Sequence, residues 1–128
     1  MSAIKFLRTY LFITLAFGAL SLVDNILTFK EINFLFYSEI LSVLAFFFFF
    51  FNIITIAVFK HYHIIKIAYV LPVYHLVTYL LLLWISIGLI LLKTIPEWSW
   101  LTIIVVSTIF SLFEIGFSTY LLIRLKLF

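Results

Sequence analysis

The sequence contains no cysteine and very little charge. The absence of cysteine excludes disulfides, iron–sulfur clusters and thiolate zinc sites. Charged residues make up 10% of the 128 residues, whereas they make up about a quarter of a typical soluble domain. Hydrophobic residues make up 67%, and the mean hydropathy is +1.37. The chain therefore lacks the polar surface of a soluble globule, and we expect its main solvent to be lipid.

Four apolar runs are each long enough to cross a bilayer, which requires roughly 20 residues per helix. They extend over residues 9–29, 34–59, 67–92 and 98–123. Because the connections are short, residues 1–128 are expected to form a single transmembrane domain. The sequence predicts an all-α membrane protein that folds as an antiparallel bundle of four transmembrane helices. Lys5 and Arg8 before the first run resemble a secretory signal, but the run continues to Phe29, which favours an uncleaved helix.

The basic residues are divided unequally between the two sides of this predicted bundle. The side with both termini carries Lys5, Arg8, Lys60, Lys66, Arg124 and Lys126. The other side carries Lys30 and Lys93. Since cytoplasmic segments carry the excess of Lys and Arg, the pattern predicts that both termini are cytoplasmic, N-in and C-in. The net charge of +3 is thus explained by topology, and nucleic acid is not an expected partner.

Four polar side chains in the first two helices are candidates for a polar cavity: Asp24, Asn25, Glu39 and Asn52. At ~1.5 Å per residue, Asp24 and Glu39 lie ~8 Å inside the outer ends of their helices. Asp24, Asn25 and Glu39 are therefore expected to converge on a cavity that is open to the outside. Two carboxylates at one depth fit a bound cation, a proton shared between them or water in that cavity. The alternative is that they only take part in helix packing or in contacts with other chains.

A second polar level is expected deeper in the bundle. By the same helix rise, His75 and Glu114 each lie ~13–15 Å from the inner side, so they are expected to approach within one hydrogen bond or one bridging water. A structural pairing and a functional role both fit this placement.

Small and polar residues recur at three- and four-residue spacing in three of the helices, which predicts seams where helices pack closely. These seams contain Thr14, Gly18, Ser21, Asn25 and Thr28, then Ser38, Ser42, Ala45, Phe49 and Asn52, then Ser107, Ser111, Glu114 and Ser118. The aromatic run Phe46 to Phe51 is interpreted as lipid contact and packing, without a binding role.

No motif for catalysis, cofactor binding or metal binding is evident. A phosphate-binding glycine loop, a nucleophile elbow and an HExxH motif do not occur in the sequence. His61 and His63 have a metal-like spacing but lack the further ligands that zinc or copper requires. The chain is therefore not expected to be an enzyme. A small membrane enzyme that uses Asp24 and Glu39 for acid–base chemistry remains an alternative.

The chain resembles the GtrA-like family of small four-helix membrane proteins. The resemblance is carried by Gly18, Ser21 and Asp24 in the first helix and by the C-terminal run Thr119 to Phe128, which contains Arg124. It implies translocation of polyprenyl-phosphate-linked sugars across a prokaryotic cytoplasmic membrane. In that function, Asp24, Asn25, Glu39 and Asn52 would form the polar groove for the sugar, and Lys60 and Arg124 would bind the phosphate of the lipid headgroup.

Two functions remain open besides catalysis. The first is the lipid-linked-sugar carrier, in which membrane lipid is the partner and a homo-oligomer is expected because four helices enclose little space. The second is a non-catalytic subunit of a larger integral membrane complex, whose seams and buried acids contact heterologous membrane subunits.

Overall fold

The computed structural model of the protein describes residues 3–32, 37–92 and 97–126. These residues form the helices α1 (Ala3–Phe29), α2 (Tyr37–His61), α3 (Val70–Leu92) and α4 (Glu97–Arg124), and a short 3₁₀ helix (Lys66–Tyr69) leads into α3. Each of the four α-helices is long and apolar enough to cross a membrane. The prediction of an all-α chain with four helices of membrane-spanning length and composition is confirmed.

Two helix starts differ from the apolar runs. Helix α1 begins at Ala3, whereas the apolar run begins at Thr9. The helix includes Lys5 and Arg8 because Lys and Arg are good helix formers, although their charges are unfavourable in lipid. The third apolar run begins as the 3₁₀ helix, and α3 follows with Pro72 as its third residue. Proline is tolerated there because the first N–H groups of a helix have no intrahelical partner.

Three helices end with a residue in the left-handed backbone conformation. These residues are Glu31 after α1, His63 after α2 and Lys126 after α4, with φ of 57°, 53° and 54°. After α1, the N–H of Ile32 donates to the Leu27 carbonyl at 2.9 Å and the N–H of Glu31 donates to the Thr28 carbonyl at 3.0 Å. This pair of bonds is the Schellman motif, which satisfies carbonyls at the helix end.

Helix α1 packs most extensively against α4. Thr14 and Ser118 share a hydroxyl–hydroxyl hydrogen bond of 2.7 Å, and Asn25 donates to Ser107 Oγ at 3.1 Å. Rising residue numbers in α1 therefore meet falling residue numbers in α4. Both contacts use residues of the predicted seams, and a close approach of the two helices follows from the small side chains in them.

The most buried apolar side chains lie toward one end of the molecule. We call it the basic end because Arg8, Lys60, Lys66 and Arg124 lie there. The opposite end of the molecule, where α1 ends at Phe29, is called the far end. The core at the basic end is built from Leu7, Tyr10, Leu11, Phe59, Ala68, Leu71, Leu121 and Leu122. Apolar side chains also cover the outside, with Trp84 77% exposed and Leu91 75% exposed. Such an apolar exterior suits hydrocarbon and not water.

Candidate functional site: a polar cleft between the four helices

All four helices line a cleft of about 250 Å³. Its polar lining comprises Ser21, Asp24, Asn25, Ser42, Asn52, His75, Thr78, Ser107, Ser111 and Glu114. Its aromatic lining comprises Phe17, Phe48, Phe49, Tyr74, Tyr79 and Phe110. Polar groups that converge beside aromatic walls are a feature of small-ligand sites.

The cleft closes toward the basic end, where Asn52 forms its floor and is hydrogen-bonded to Tyr10 of α1. Both side chains are fully buried. The Tyr10 hydroxyl donates to Asn52 Oδ1, and Asn52 Nδ2 donates to the Phe48 carbonyl at 2.7 Å. These bonds satisfy the amide on both sides and join α1 to α2. Toward the far end, by contrast, Ser42 is exposed and Asp24 is half-buried, so the cleft opens in that direction.

His75 of α3 and Glu114 of α4 meet at the bottom of the cleft. Their Nε2 and Oε1 atoms are 3.2 Å apart, and their side chains are 7% and 6% exposed. The expected approach of these two residues is therefore observed. Phe48 crosses the imidazole edge to face, with ring centroids 4.8 Å apart, and Phe17 does so at 6.4 Å. The aromatic rings of α1 and α2 thus hold the imidazole beside the carboxyl group.

Hydrogen bonds fix the wall between α1 and α4 nearer to the far end. Asn25 is buried and bonds to Ser107 across the helix interface at 3.1 Å. Asp24, Ser21 and Ser107 line the cleft beside Asn25. This wall presents a carboxylate, an amide and two hydroxyl groups, which together accept and donate several hydrogen bonds to a polar ligand.

Glu39 does not belong to the cleft, in contrast to the expected convergence with Asp24 and Asn25. Its side chain is exposed, and the lining residues of α2 begin with Leu41 and Ser42. At about 100° per residue, Glu39 lies about 120° around the helix from Ala45, which faces the cleft. Equal depth along two helices does not fix the rotation of either helix, and the rotation directs Glu39 away. The cleft therefore contains no Asp24–Glu39 pair for acid–base chemistry.

Lys60 and Arg124 are both exposed at the basic end, beyond the floor of the cleft. Arg124 Nη1 donates to the Tyr120 hydroxyl at 2.9 Å, and the guanidinium carbon lies 5.8 Å from the centre of that ring. Among the described residues that line the cleft, none is a lysine or an arginine. The two predicted phosphate ligands are thus separated from the predicted sugar ligands Asp24, Asn25 and Asn52.

The aromatic side of the cleft was missed at the sequence level. The sequence predicts lipid contact and packing for the run Phe46 to Phe51, without a binding role, but Phe48 and Phe49 line the cleft. Phe48 is buried, whereas Phe46, Phe47 and Phe50 are exposed. The signal was present in the seam of α2, because Phe49 follows Ala45 by four residues and precedes Asn52 by three.

Within the described part of the chain, no three His, Asp or Glu side chains come together as a set of metal ligands. Comparisons of the chain with protein-family models, with curated proteins and with solved structures give no significant match. The chemistry of the cleft is therefore the basis for a functional proposal.

Proposed function

We propose that this chain is a non-catalytic, multi-pass membrane protein whose cleft binds the polar head of a lipid-linked sugar and moves it across the bilayer. The observation that carries the proposal is a cleft with polar and aromatic walls inside a bundle that is apolar on its outside. Such a site accommodates an amphiphile, with the polar head between the helices and the chain in the surrounding lipid. The resemblance to GtrA-like proteins points to the same substrate, a polyprenyl-phosphate-linked sugar.

The composition of the cleft favours a sugar over an apolar head group. Amides, carboxylates and hydroxyl groups form paired hydrogen bonds with neighbouring sugar hydroxyls, and aromatic rings stack on the C–H faces of a pyranose. Asp24 and Asn25 supply the first kind of group, and Phe48, Phe49 and Tyr79 supply the second. The volume of about 250 Å³ is below the ~300–1,000 Å³ of sites for drug-sized ligands, which favours a short head group over a long oligosaccharide.

The packing of α3 supports access from the side. Helices α3 and α4 meet where the Tyr74 hydroxyl donates to the Phe110 carbonyl at 2.9 Å and where His75 faces Glu114. Beyond this contact, every residue from Leu80 to Ile87 is exposed. Leu82 belongs to this segment and also lines the cleft. A lipid chain lying along this segment would therefore reach the cleft without crossing a packed interface.

The proposal includes an orientation. The antiparallel bundle has both termini and the basic end in the cytoplasm, because cytoplasmic segments carry the excess of Lys and Arg. The cleft then opens toward the outer leaflet. Lys60 and Arg124 lie at the cytoplasmic surface, where they attract the phosphates of lipids. The membrane is the cytoplasmic membrane of a prokaryote, and the working unit is a homo-oligomer.

A binding experiment with a cleft-filling variant tests this function. Ala45 lines the cleft, whereas Ala57 is exposed elsewhere on α2. Purified wild-type protein, Ala45→Phe and the matched control Ala57→Phe are titrated with a polyprenyl-phosphate-linked hexose in detergent micelles. The proposal predicts that Ala45→Phe weakens binding at least ~10-fold, or ~1.4 kcal/mol, and that Ala57→Phe binds as the wild type does. Equal affinity for all three proteins would contradict it.

A second function is favoured by one observation, the exposure of α3 from Leu80 to Ile87 on all sides. Trp84 in this segment is the most exposed of the large apolar side chains that the structure describes. A helix of a heterologous subunit packed on this segment would make the chain a non-catalytic part of a larger membrane complex.

Purification in a mild detergent through a tag on this chain separates the two functions. Other membrane proteins that copurify at a constant ratio support the subunit. A self-oligomer that retains lipid supports the carrier.

A further inference from the structure

The cleft contains a pair of ionisable groups that sugar binding does not require. His75 Nε2 and Glu114 Oε1 lie 3.2 Å apart, and less than a tenth of each side chain is exposed. Both residues line the cleft. Ionisable groups in such surroundings are costly, because burial opposes net charge, and they therefore require a compensating charge or a function.

The other ionisable groups around the pair are contributed by α1 and α3. On α1, the Tyr10 hydroxyl is engaged as a donor to Asn52, and Asp24 lines the cleft nearer to its opening. On α3, the Tyr74 hydroxyl donates to the Phe110 carbonyl, and Tyr79 lines the cleft. Among the described lining residues, those of α2 include no ionisable group, and Glu114 is the only one from α4. Both hydroxyls of Tyr10 and Tyr74 are thus already engaged as donors, whereas His75 and Glu114 face each other at the bottom of the cleft.

The charge of the pair depends on how many protons it holds. With one proton the pair is neutral overall, either as imidazole and carboxylic acid or as imidazolium and carboxylate. With two protons its charge is +1, and with none it is −1. Because burial opposes net charge, the number of protons that the pair holds is coupled to the charge of a ligand that enters the cleft.

An anionic ligand changes this balance. The phosphate that links a sugar to its lipid carries a negative charge, and no lysine or arginine is among the described lining residues that meet it. A second proton on the pair supplies the missing positive charge. We propose that His75 and Glu114 form a proton-binding site that takes up one proton from water when the phosphate of a lipid-linked sugar enters the cleft. This inference rests on the proposed function and adds proton coupling to it.

Calorimetric titration tests the coupling. Wild-type protein in micelles is titrated with a polyprenyl-phosphate-linked hexose at one pH in two buffers of different ionisation enthalpy, which yields the number of protons taken up per ligand. A phosphodiester has no second proton to titrate near neutral pH, so the protons are those of the protein. We expect the wild type to take up close to one proton, and its affinity to rise by up to ~10-fold per unit decrease in pH.

Variants and a neutral ligand serve as controls. His75→Gln and Glu114→Gln are expected to bind with proton uptake close to zero. Thr108→Val is the matched control, because Thr108 belongs to the same helix but not to the lining of the cleft, and its hydroxyl donates to the Ile104 carbonyl at 2.8 Å. It is expected to keep the uptake of the wild type. An alkyl hexoside without phosphate is expected to bind the wild type without proton uptake, which keeps the test valid even if one variant does not fold.

Proton uptake that is absent in the wild type, or unchanged in both variants, would overturn the inference while leaving the carrier function intact. If no lipid-linked hexose binds at any pH, the proposed function and the coupling both fail. A pH titration of the carboxyl C=O stretch in the infrared then decides the proton site alone. A band that titrates and disappears in Glu114→Gln supports the site, and the absence of such a band overturns it.

Discussion

Gly18 of α1 and Glu114 of α4 are in direct contact at the bottom of the cleft. A Cβ atom on Gly18 would lie 3.3 Å from Glu114 Cγ and 2.9 Å from Ile115 Cγ1. The second distance is shorter than two carbon atoms tolerate, so a side chain at position 18 requires the Ile115 side chain or its helix to move. The absence of a side chain at Gly18 therefore leaves the space that the Glu114 and Ile115 side chains occupy.

Gly18→Ala is expected to destabilise the bundle, because the added methyl group overlaps Ile115 and presses on Glu114. Overpacking of this kind costs ~1–3 kcal/mol. The matched control is Gly116→Ala, since no atom lies within 4 Å of a Cβ built there. Equilibrium unfolding of both variants in mixed micelles measures the difference. If the two variants are equally stable, α1 and α4 do not approach at Gly18 as described.

The role of Gly18 was partly predictable from the sequence. Its spacing from Thr14, Ser21 and Asn25 predicted a face of α1 that packs against protein, and three of these four residues are buried. The partner helix was not predictable, because α2 carries a seam of the same kind. Small-residue spacing fixes which face of a helix is buried, but not which neighbour covers it.

The hydroxyl pair of Thr14 and Ser118 is expected to contribute to the α1–α4 interface. Both side chains are fully buried and 2.7 Å apart. In a double-mutant cycle with Thr14→Val and Ser118→Ala, we expect a coupling of ~0.6 kcal/mol, with ~1.7 kcal/mol as the upper bound for such bonds in membranes. Thr108→Val combined with Ser118→Ala is the control, because Thr108 bonds to the Ile104 carbonyl of its own helix. A coupling no larger than in the control cycle would rule out the bond.

The absence of native cysteine allows the α1–α4 register to be tested by cross-linking. Asn25 and Ser107 are hydrogen-bonded at 3.1 Å, so the double variant Asn25→Cys, Ser107→Cys is expected to form an intramolecular disulfide under mild oxidation. Val23 is exposed on another face of α1, and the pair Val23→Cys, Ser107→Cys is expected to remain reduced. A mobility shift after partial oxidation, reversed by reductant, reports the bond. Equal cross-linking of both pairs would contradict the register.

Topology is tested with reporter fusions, since the Lys and Arg distribution predicts cytoplasmic termini. Fusions after Lys30 and after Lys93 are expected to report the outside. Fusions after Lys66 and after Phe128 are expected to report the cytoplasm. A cytoplasmic signal after Lys93 would be incompatible with four spans.

Two features of the molecule lay beyond reach of the sequence. The helix ends at Glu31, His63 and Lys126 adopt positive φ without glycine, so the usual residue signal for a helix C-terminus is absent there. The exclusion of Glu39 from the cleft depends on the rotation of α2, which is set by the contacts of Phe48 and Asn52 with α1. By contrast, the approach of His75 and Glu114 was predictable from their equal depth. The rotations of α3 and α4 about their axes turn both side chains toward each other, 3.2 Å apart.

Movement of a lipid-linked sugar through the cleft is tested most directly with Asp24→Asn and Glu39→Gln. Both changes replace a carboxylate by an amide of nearly equal shape, but Asp24 lines the cleft and Glu39 is exposed outside it. The measurement is the rate at which a labelled polyprenyl-phosphate-linked hexose crosses the bilayer of vesicles that contain each protein at equal density. We predict that Asp24→Asn lowers the protein-dependent rate at least ~10-fold, about 1.4 kcal/mol in the barrier, and that Glu39→Gln keeps the wild-type rate. Wild-type rates for both variants, or an equal loss in both, would contradict a working site in this cleft.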